Sequence, residues 1–316
     1  MAACEAAGRP YQEAADHLKR DHRIAISKQT LEVLTTQVGA YWLERDQAAF
    51  DALERQSRCA DALPTCGGGP PDKCLIFADG VMVHSDGAWH EARVGTVRCD
   101  RGEEIDKGSL VRLGDVPTFE KDLWRKAVQS GYHQAGVVAF IADGGRWLWN
   151  VADRCFDKAI RILDFYHLCQ HVHGCGDAFL GEGTDESRRW ALSVCGTLRA
   201  GQVDEALKTV EGLPGRSKAK RVAKHGLVTY LTNNRDRMDY PRYEAMGLPI
   251  GSGEVEAQCK TLVQARCKQA GMRWTRGGIE SLLRVRCAVK DGSYDQHFGH
   301  WPVNFTAWQA RRNRAA

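Results

Sequence analysis

Two apolar, β-prone runs in this chain carry an aspartate where a strand has least use for one. Leu75-Ile-Phe-Ala-Asp-Gly-Val-Met-Val83 is interrupted by Asp79, and Val137-Val-Ala-Phe-Ile-Ala-Asp-Gly144 ends on Asp143. A buried carboxylate without a partner is costly, so such a residue implies a pairing group or a metal ion. Asp-Gly after a strand is a common turn, and that alone would account for Asp143. It does not account for Asp79, because the apolar run continues beyond it. A third acid, Asp164, ends the run Ile160 to Leu163 and opens a helix in Asp164-Phe-Tyr-His167.

The breaker cluster Cys66-Gly-Gly-Gly-Pro-Pro71 divides helical periodicity from strand patterning. Before it, Tyr11 to Val38 reads as two short helices around a turn, with Ser27 as the N-cap of the second. A third helix is expected from Tyr41 to Arg58. The first pair is either a DNA-reading helix-turn-helix or plain core helices. After the cluster, Leu75–Val83, Trp89–Cys99 and Ser109–Leu113 predict an antiparallel meander. Phe119–Ser130 predicts a helix, Gly136–Ala142 a buried strand, Trp147–Phe156 a helix and Ile160–Leu163 a strand. Phe165–Val172 opens a further helix, and Asp177 to Met246 is helical throughout. Pro249-Ile-Gly-Ser-Gly253 breaks the chain. Helices are expected over Glu254–Ala270 and about Ile279–Lys290, with irregular chain and the basic tail Arg311-Arg-Asn-Arg314 beyond Asp291. The expected architecture is α/β: a mixed sheet in the order βββαβαβ-α, an all-helical insertion and an N-terminal helical segment. The expected divisions are 1–66, 72–172, 173–248, 249–290 and 291–316.

Charge is unevenly spread. From Leu213 onward there are 19 Lys+Arg against 8 Asp+Glu, and the remainder carries 25 against 32. A basic final third suits contact with phosphates. No run of about 18 apolar residues suggests a membrane span, and the first ten residues have no signal-peptide core. The twelve cysteines are scattered and read as free thiols in a reducing, cytoplasmic setting. Neither Cys59/Cys66/Cys74 nor His171/His173/Cys175 has the paired short spacing of a structural zinc site.

Carboxylates at neighbouring strand ends suit hard cations such as Mg²⁺ or Mn²⁺. Two such ions stabilise the attacking and leaving oxygens of a phosphodiester displacement. A glycosidase also needs two carboxylates, but would leave the basic third unexplained.

Five segments resemble bacterial insertion-sequence transposases of the ISKra type, within the wider Mutator-like group. They are Phe77-Ala-Asp-Gly-Val-Met-Val83, Ile141-Ala-Asp-Gly-Gly-Arg-Trp-Leu-Trp-Asn150, Leu163-Asp-Phe-Tyr-His167, Ile250-Gly-Ser-Gly-Glu-Val-Glu256 and Arg266-Cys-Lys-Gln-Ala-Gly-Met-Arg-Trp274. The resemblance spans about Ile76 to Arg286 and matches the helical insertion loosely. It implies a ribonuclease-H-like core with a DDE triad of Asp79, Asp143 and Glu256 as catalytic and metal-binding residues. Asp164 and His167 match the C/DxxH motif, which is implied to support the site. The implied reaction is hydrolysis at a transposon end, then attack of the freed 3′ hydroxyl on target DNA. The implied partners are transposon-end and target DNA, bound by a homo-oligomer in the bacterial nucleoid, with no small-molecule cofactor and no membrane. Members of that group carry more N-terminal sequence, so a gene fragment or the product of a decayed element is one expectation. The matched catalytic positions are all intact.

Around these acids, Lys260 is expected to hold a phosphate from one helical turn beyond Glu256. Arg266, Lys268, Arg273 and Arg276 are expected to grip the backbone, with Trp274 either stacking a base or packing in the core. Trp147 and Trp149 read as packing residues, and His171 and His173 as helix-surface residues. Glu254 has a structural reason of its own at the helix start, where an acid meets unpaired amides. Two other readings stay open: a catalytically silent DNA-binding protein, and a metal-dependent nuclease without strand transfer.

Overall fold

Several helices start where a side-chain oxygen accepts from one of the first free amides. Ser27 Oγ accepts from Thr30 N at 3.0 Å, Asp115 Oδ1 from Thr118 N at 2.8 Å, and Thr275 Oγ1 from Gly278 N at 3.1 Å. The computed structural model describes residues 1–60, 63, 68–215, 217–298 and 309, with the side chains of 57–60 and 296–298 excepted. The basic tail 311–314 lies outside them.

The chain is a mixed α/β protein. Its five-stranded sheet has the hydrogen-bonded order β3-β2-β1-β4-β5. By contact it divides into one unit of residues 1–137 with 254–316 and another of residues 138–253.

The first unit opens with α1 (Ala2–Gly8), α2 (Tyr11–His22) and α3 (Lys28–Ala60). The strands β1 (Lys73–Ser85), β2 (Ala88–Arg101) and β3 (Glu104–Arg112) follow as the expected antiparallel meander, with Asp79 opposite Val94. Helix α4 (Val116–Ser130) packs on β2 and β3. Gly95 leaves the room for this, since a Cβ there would stand 2.8 Å from Leu123. The second unit holds β4 (Val137–Ala142, from its second residue), α5 (Arg146–Cys155) and β5 (Ile160–Leu163), with β4 and β5 parallel. It continues as α6 (Phe165–Leu180), α7 (Asp185–Arg199), α8 (Val203–Glu211), α9 (Lys218–Asn233) and α10 (Tyr240–Ala245). The chain re-enters the first unit through α11 (Gly253–Gln258), a π-helical turn (Cys259–Gln264) and α12 (Ala265–Cys267). Helices α13 (Arg276–Lys290) and α14 (Ser293–Phe298) follow.

Three expectations are corrected. The gap placed between Val38 and Tyr41 does not exist, because α3 is continuous. Gly39 is instead a close-packing point: a Cβ there would lie 2.1 Å from the Ser281 carbonyl oxygen on α13. The single helix expected over Glu254–Ala270 changes to i→i+5 bonding after Gln258 and ends at Cys267. The chain after Asp291 is not irregular throughout, since it forms α14.

Two apolar clusters join the N-terminal helices to the rest of their unit. Leu18 of α2 and Leu31 of α3 are fully buried in one, with Tyr11 and Ala14, and Trp274 packs against it. Ala3, Val38, Trp42 and Val285 form the other, along α1, α3 and α13. The α2–α3 pair therefore spends its apolar faces as core. Among the described residues no helix is long and apolar enough to cross a membrane.

The close approach at Gly39 sets a stability test. Gly39→Ala should destabilise by about 1–3 kcal/mol, because backbone rather than a movable side chain opposes the new methyl. Gly196→Ala, in α7 with nothing within 4 Å of the added Cβ, should stabilise by about 0.5–1 kcal/mol through helix propensity. Urea unfolding of both variants checks the opposite signs.

Candidate active site

In the first unit, Asp79 sits midway along β1 and is partly exposed, directly after five buried residues. Its Oδ1 accepts from the Gly80 amide at 2.7 Å. Its Oδ2 is 3.4 Å from the Cys259 sulfur, which opens the π-helical turn. Glu256 lies three residues before Cys259 and is also partly exposed. Burial raises the Cys259 thiol pKa, and the charges of Asp79 and Glu256 raise it further. One thiol thus contacts Asp79 and feels the charge of Glu256, so two of the three expected acids lie in the neighbourhood of Cys259 in this unit. Their separation in sequence is large, and only the packing of the π-helical turn on β1 brings them together.

Glu91 has a place here that its local sequence did not announce. Its carboxylate folds over Gly80, where a Cβ would stand 2.2 Å from Oε1. It also pairs with Arg93 at 2.8 Å. A moderately alternating strand gives no sign of either partner.

Glu254 is occupied elsewhere. It pairs with Lys107 of β3 and, at 3.3 Å, with Arg98 of β2. Burial raises its pKa, but the two cations outweigh that and hold it below the ordinary glutamate value. These pairs give it a structural task anchoring the first turn of α11.

In the second unit, Asp143 directly follows β4 and is partly exposed. Its Oδ1 accepts from Gly145 N at 2.9 Å, and its carbonyl accepts from Tyr230 Oη at 2.6 Å. Burial, then Asp143 and Asp164, push the Tyr230 phenol pKa up, so it stays a donor. Asp164 is fully buried. Its Oδ1 caps α6 by accepting from Tyr166 N at 2.6 Å and His167 N at 2.9 Å. Its Oδ2 accepts from Ser252 N at 2.7 Å and from the Ser252 hydroxyl. The Phe165 amide donates to Ile250 O at 2.8 Å. Asp164 therefore fastens the loop 249–253 to the start of α6 and has little capacity left for a metal. His167 meets Asp164 through its amide, while its ring turns to His171, Nε2 to Nε2, at 3.2 Å. Burial, then His167, lower the His171 pKa. The His171 ring lies over Tyr230 with centroids 4.2 Å apart. Trp149 is a buried packing residue whose indole donates to Asn234 at 2.9 Å.

The expected phosphate-binding residues separate into two groups. Lys260, Lys268 and Arg273 are exposed. Arg276 is exposed too, but its guanidinium reaches the Leu113 carbonyl at 3.2 Å and Glu280 at 3.8 Å. Arg266 is corrected outright. It is 1% exposed, lies against the rings of both Tyr11 and Trp274 at 4.9 and 5.0 Å, and donates to the Ala6 carbonyl at 3.4 Å. It cannot reach a phosphate from there, and Trp274 is partly buried, packed against the N-terminal cluster. The suggested Cys59/Cys66/Cys74 grouping falls partly outside the described residues, at the Cys59 side chain and Cys66. Cys74 faces Cys99, sulfur to sulfur, at 3.0 Å.

Compared with protein-family models and with curated proteins, the chain has no match.

The ion pairs of Glu254 have a pH signature. A carboxyl held below its ordinary pKa contributes stability that is present above that ordinary value and lost as pH falls through the lowered one. Glu254→Gln should lower the melting temperature slightly at pH 7, by the equivalent of up to about 1 kcal/mol for these part-exposed pairs. The gap between the proteins should close below about pH 4. A gap that persists unchanged in acid would show that the pairs contribute nothing.

Proposed function

We propose that this chain is a DNA-cleaving and DNA-joining enzyme, a DDE transposase of the insertion-sequence type with a ribonuclease-H-like core. The observation that carries the reading is the shared neighbourhood of Asp79 and Glu256 around Cys259. It supports a carboxylate pair assembled from a central strand and a C-terminal helix. The strand order β3-β2-β1-β4-β5, with a meander followed by parallel strands, supports the same core. Asp143 is the third acid that the reading requires.

The donor set fits a hard cation, since each group offers carboxylate oxygens and none of the three is fully buried. When bound, Mg²⁺ or Mn²⁺ would supply charge stabilisation for the attacking and leaving oxygens of the phosphodiester. The chain's own residues do the positioning. Gly80 N and Gly145 N each hold one carboxylate oxygen, at Asp79 and Asp143 respectively, which fixes the direction of the other. Asp164 orders the loop 249–253 that leads into α11. Exposed Lys260, Lys268 and Arg273 supply cations for the DNA backbone.

Single-turnover cleavage of end-containing DNA in Mg²⁺ tests the triad. Asp79→Asn, Asp143→Asn and Glu256→Gln should each lose on the order of 10³-fold or more, the effect of several kcal/mol of lost charge stabilisation. Glu254→Gln should lose little. Full activity in Asp79→Asn or Glu256→Gln would sink the reading.

Salt dependence tests the cation assignment. Replacing Lys260, Lys268 and Arg273 with Ala should reduce the slope of log K against log[salt] by about 0.9 for each phosphate that is no longer neutralised. Arg266→Ala should leave that slope alone and lower the melting temperature instead. Equal slopes for the triple variant and the parent would place the DNA surface elsewhere.

A further inference from the structure

We propose that Glu5, His17 and His22 form a site for a borderline divalent cation, Zn²⁺ in the first instance, that fastens α1 to α2. The site uses none of the residues assigned to DNA cleavage and stands independently of that reading. One carboxylate oxygen and one ring nitrogen from each histidine all lie within 4.8 Å of one another. His17 Nε2 is 3.4 Å from Glu5 Oε2. That is long for a hydrogen bond, which is commonest near 2.9–3.0 Å. It matches the edge of a zinc tetrahedron, because bonds of about 2.0–2.1 Å put two ligand atoms roughly 3.3 Å apart.

The other nitrogen of His17 is already committed. Its Nδ1 is 2.5 Å from Asp21 Oδ2. The Asp21 carboxylate is placed to accept a hydrogen bond from Nδ1–H, the tautomer in which Nε2 offers its lone pair on the Glu5 side. Metal-binding histidines are usually held by such an outer carboxylate. The His22 ring stands 5.5 Å from the His17 ring and at 87° to it. It is the last residue of α2, and Arg23 turns the chain through a left-handed conformation directly after it.

Two imidazoles and one carboxylate select zinc over magnesium, which prefers oxygen alone. Three protein ligands leave a fourth position for water. Two arginines compete for the same acids. Arg9 Nε lies 3.5 Å from Glu5 Oε2, and Arg20 pairs with Asp21 at 2.8 Å. Arg9 is 42% exposed and can turn to water, whereas Glu5 and His17 are 22% and 19% exposed and keep their places. Arg20 sits on the Nδ1 side and does not block Nε2.

The test uses the full chain without a histidine tag, stripped with a chelator and held in excess Mg²⁺. Titration with Zn²⁺ should show one tight equivalent and a raised melting temperature, and Co²⁺ should give the visible bands of four-coordinate cobalt. His17→Gln and Glu5→Gln should weaken uptake at least tenfold and abolish the melting shift. Asp21→Asn should weaken it about 10–100-fold by releasing the His17 ring. His22→Gln, at an exposed helix end, should fold normally and lose the same equivalent, so a folding defect at His17 cannot obscure the result. Zinc uptake unchanged in His22→Gln and His17→Gln would overturn the site and leave only a surface ion-pair cluster.

Discussion

Two arginines from the C-terminal part of the chain hold the N-terminal helix, and one of them, Arg286, also bonds the turn that sets Cys259 against Asp79. Arg286 donates to the Ala7 carbonyl at the end of α1, to Leu262 O at 2.7 Å and to Thr261 O. Arg266 donates to Ala6 O. The last carbonyls of a helix have no partner within it, so α1 ends on charged donors that α12 and α13 supply. The same guanidinium gives a physical account of the π-helical turn. Ala265 donates to Lys260 O, one residue earlier than an α-helix would allow. Thr261 O, which an α-helix would have assigned to that amide, receives Arg286 instead. The widened turn carries Cys259 against Asp79. π-turns recur at functional sites for this reason, since they re-aim a few side chains without ending the helix.

Desolvation separates structural charges from candidate catalytic ones. Asp164 is fully buried, and the four hydrogen bonds to its two oxygens offset the loss of water. Asp122 is buried between Arg112 and Arg125. Asp79, Asp143 and Glu256 differ in keeping partial contact with solvent. A carboxylate that must bind and release a hydrated cation needs that access, and a fully satisfied one like Asp164 could not provide it.

Much of this is legible locally. The alternation and apolar runs of β1, β2, β4 and β5 locate those strands within a few residues, and Ser27 marks the start of α3. The interruption of an apolar run by Asp79 is visible within nine residues, although its contact with Cys259 is not. What is not legible depends on partners far away in sequence. Nothing near Glu254 announces Lys107 and Arg98. Gly39 looks like a helix break until Ser281 is known to press against it. Helical spacing assigns Glu256 and Lys260 to one face, but the turn widens at Cys259, between them, so that register does not carry through.

The basic final third illustrates how far a charge count can stand from a binding surface. Net charge describes the long-range field, which acts on a polyanion wherever the cations sit. Direct binding is different, because a guanidinium must reach the phosphate. Several of the arginines after Leu213 cannot: Arg266 and Arg286 are buried on α1 carbonyls, and Arg284 is bound by both its Nε and Nη2 to Asp46, at 2.6 and 3.2 Å. Arg237 lies over the Trp149 ring at 4.6 Å. These residues stay charged, since arginine keeps its proton under any ordinary condition, and so they add to the long-range field without presenting a guanidinium for direct contact. Arginine is preferred in such places because its planar fork can satisfy several carbonyls at once and lie flat on aromatic rings. On the proposed reading, a DNA backbone would be followed by exposed cations instead, among them Lys260, Lys268 and Arg273.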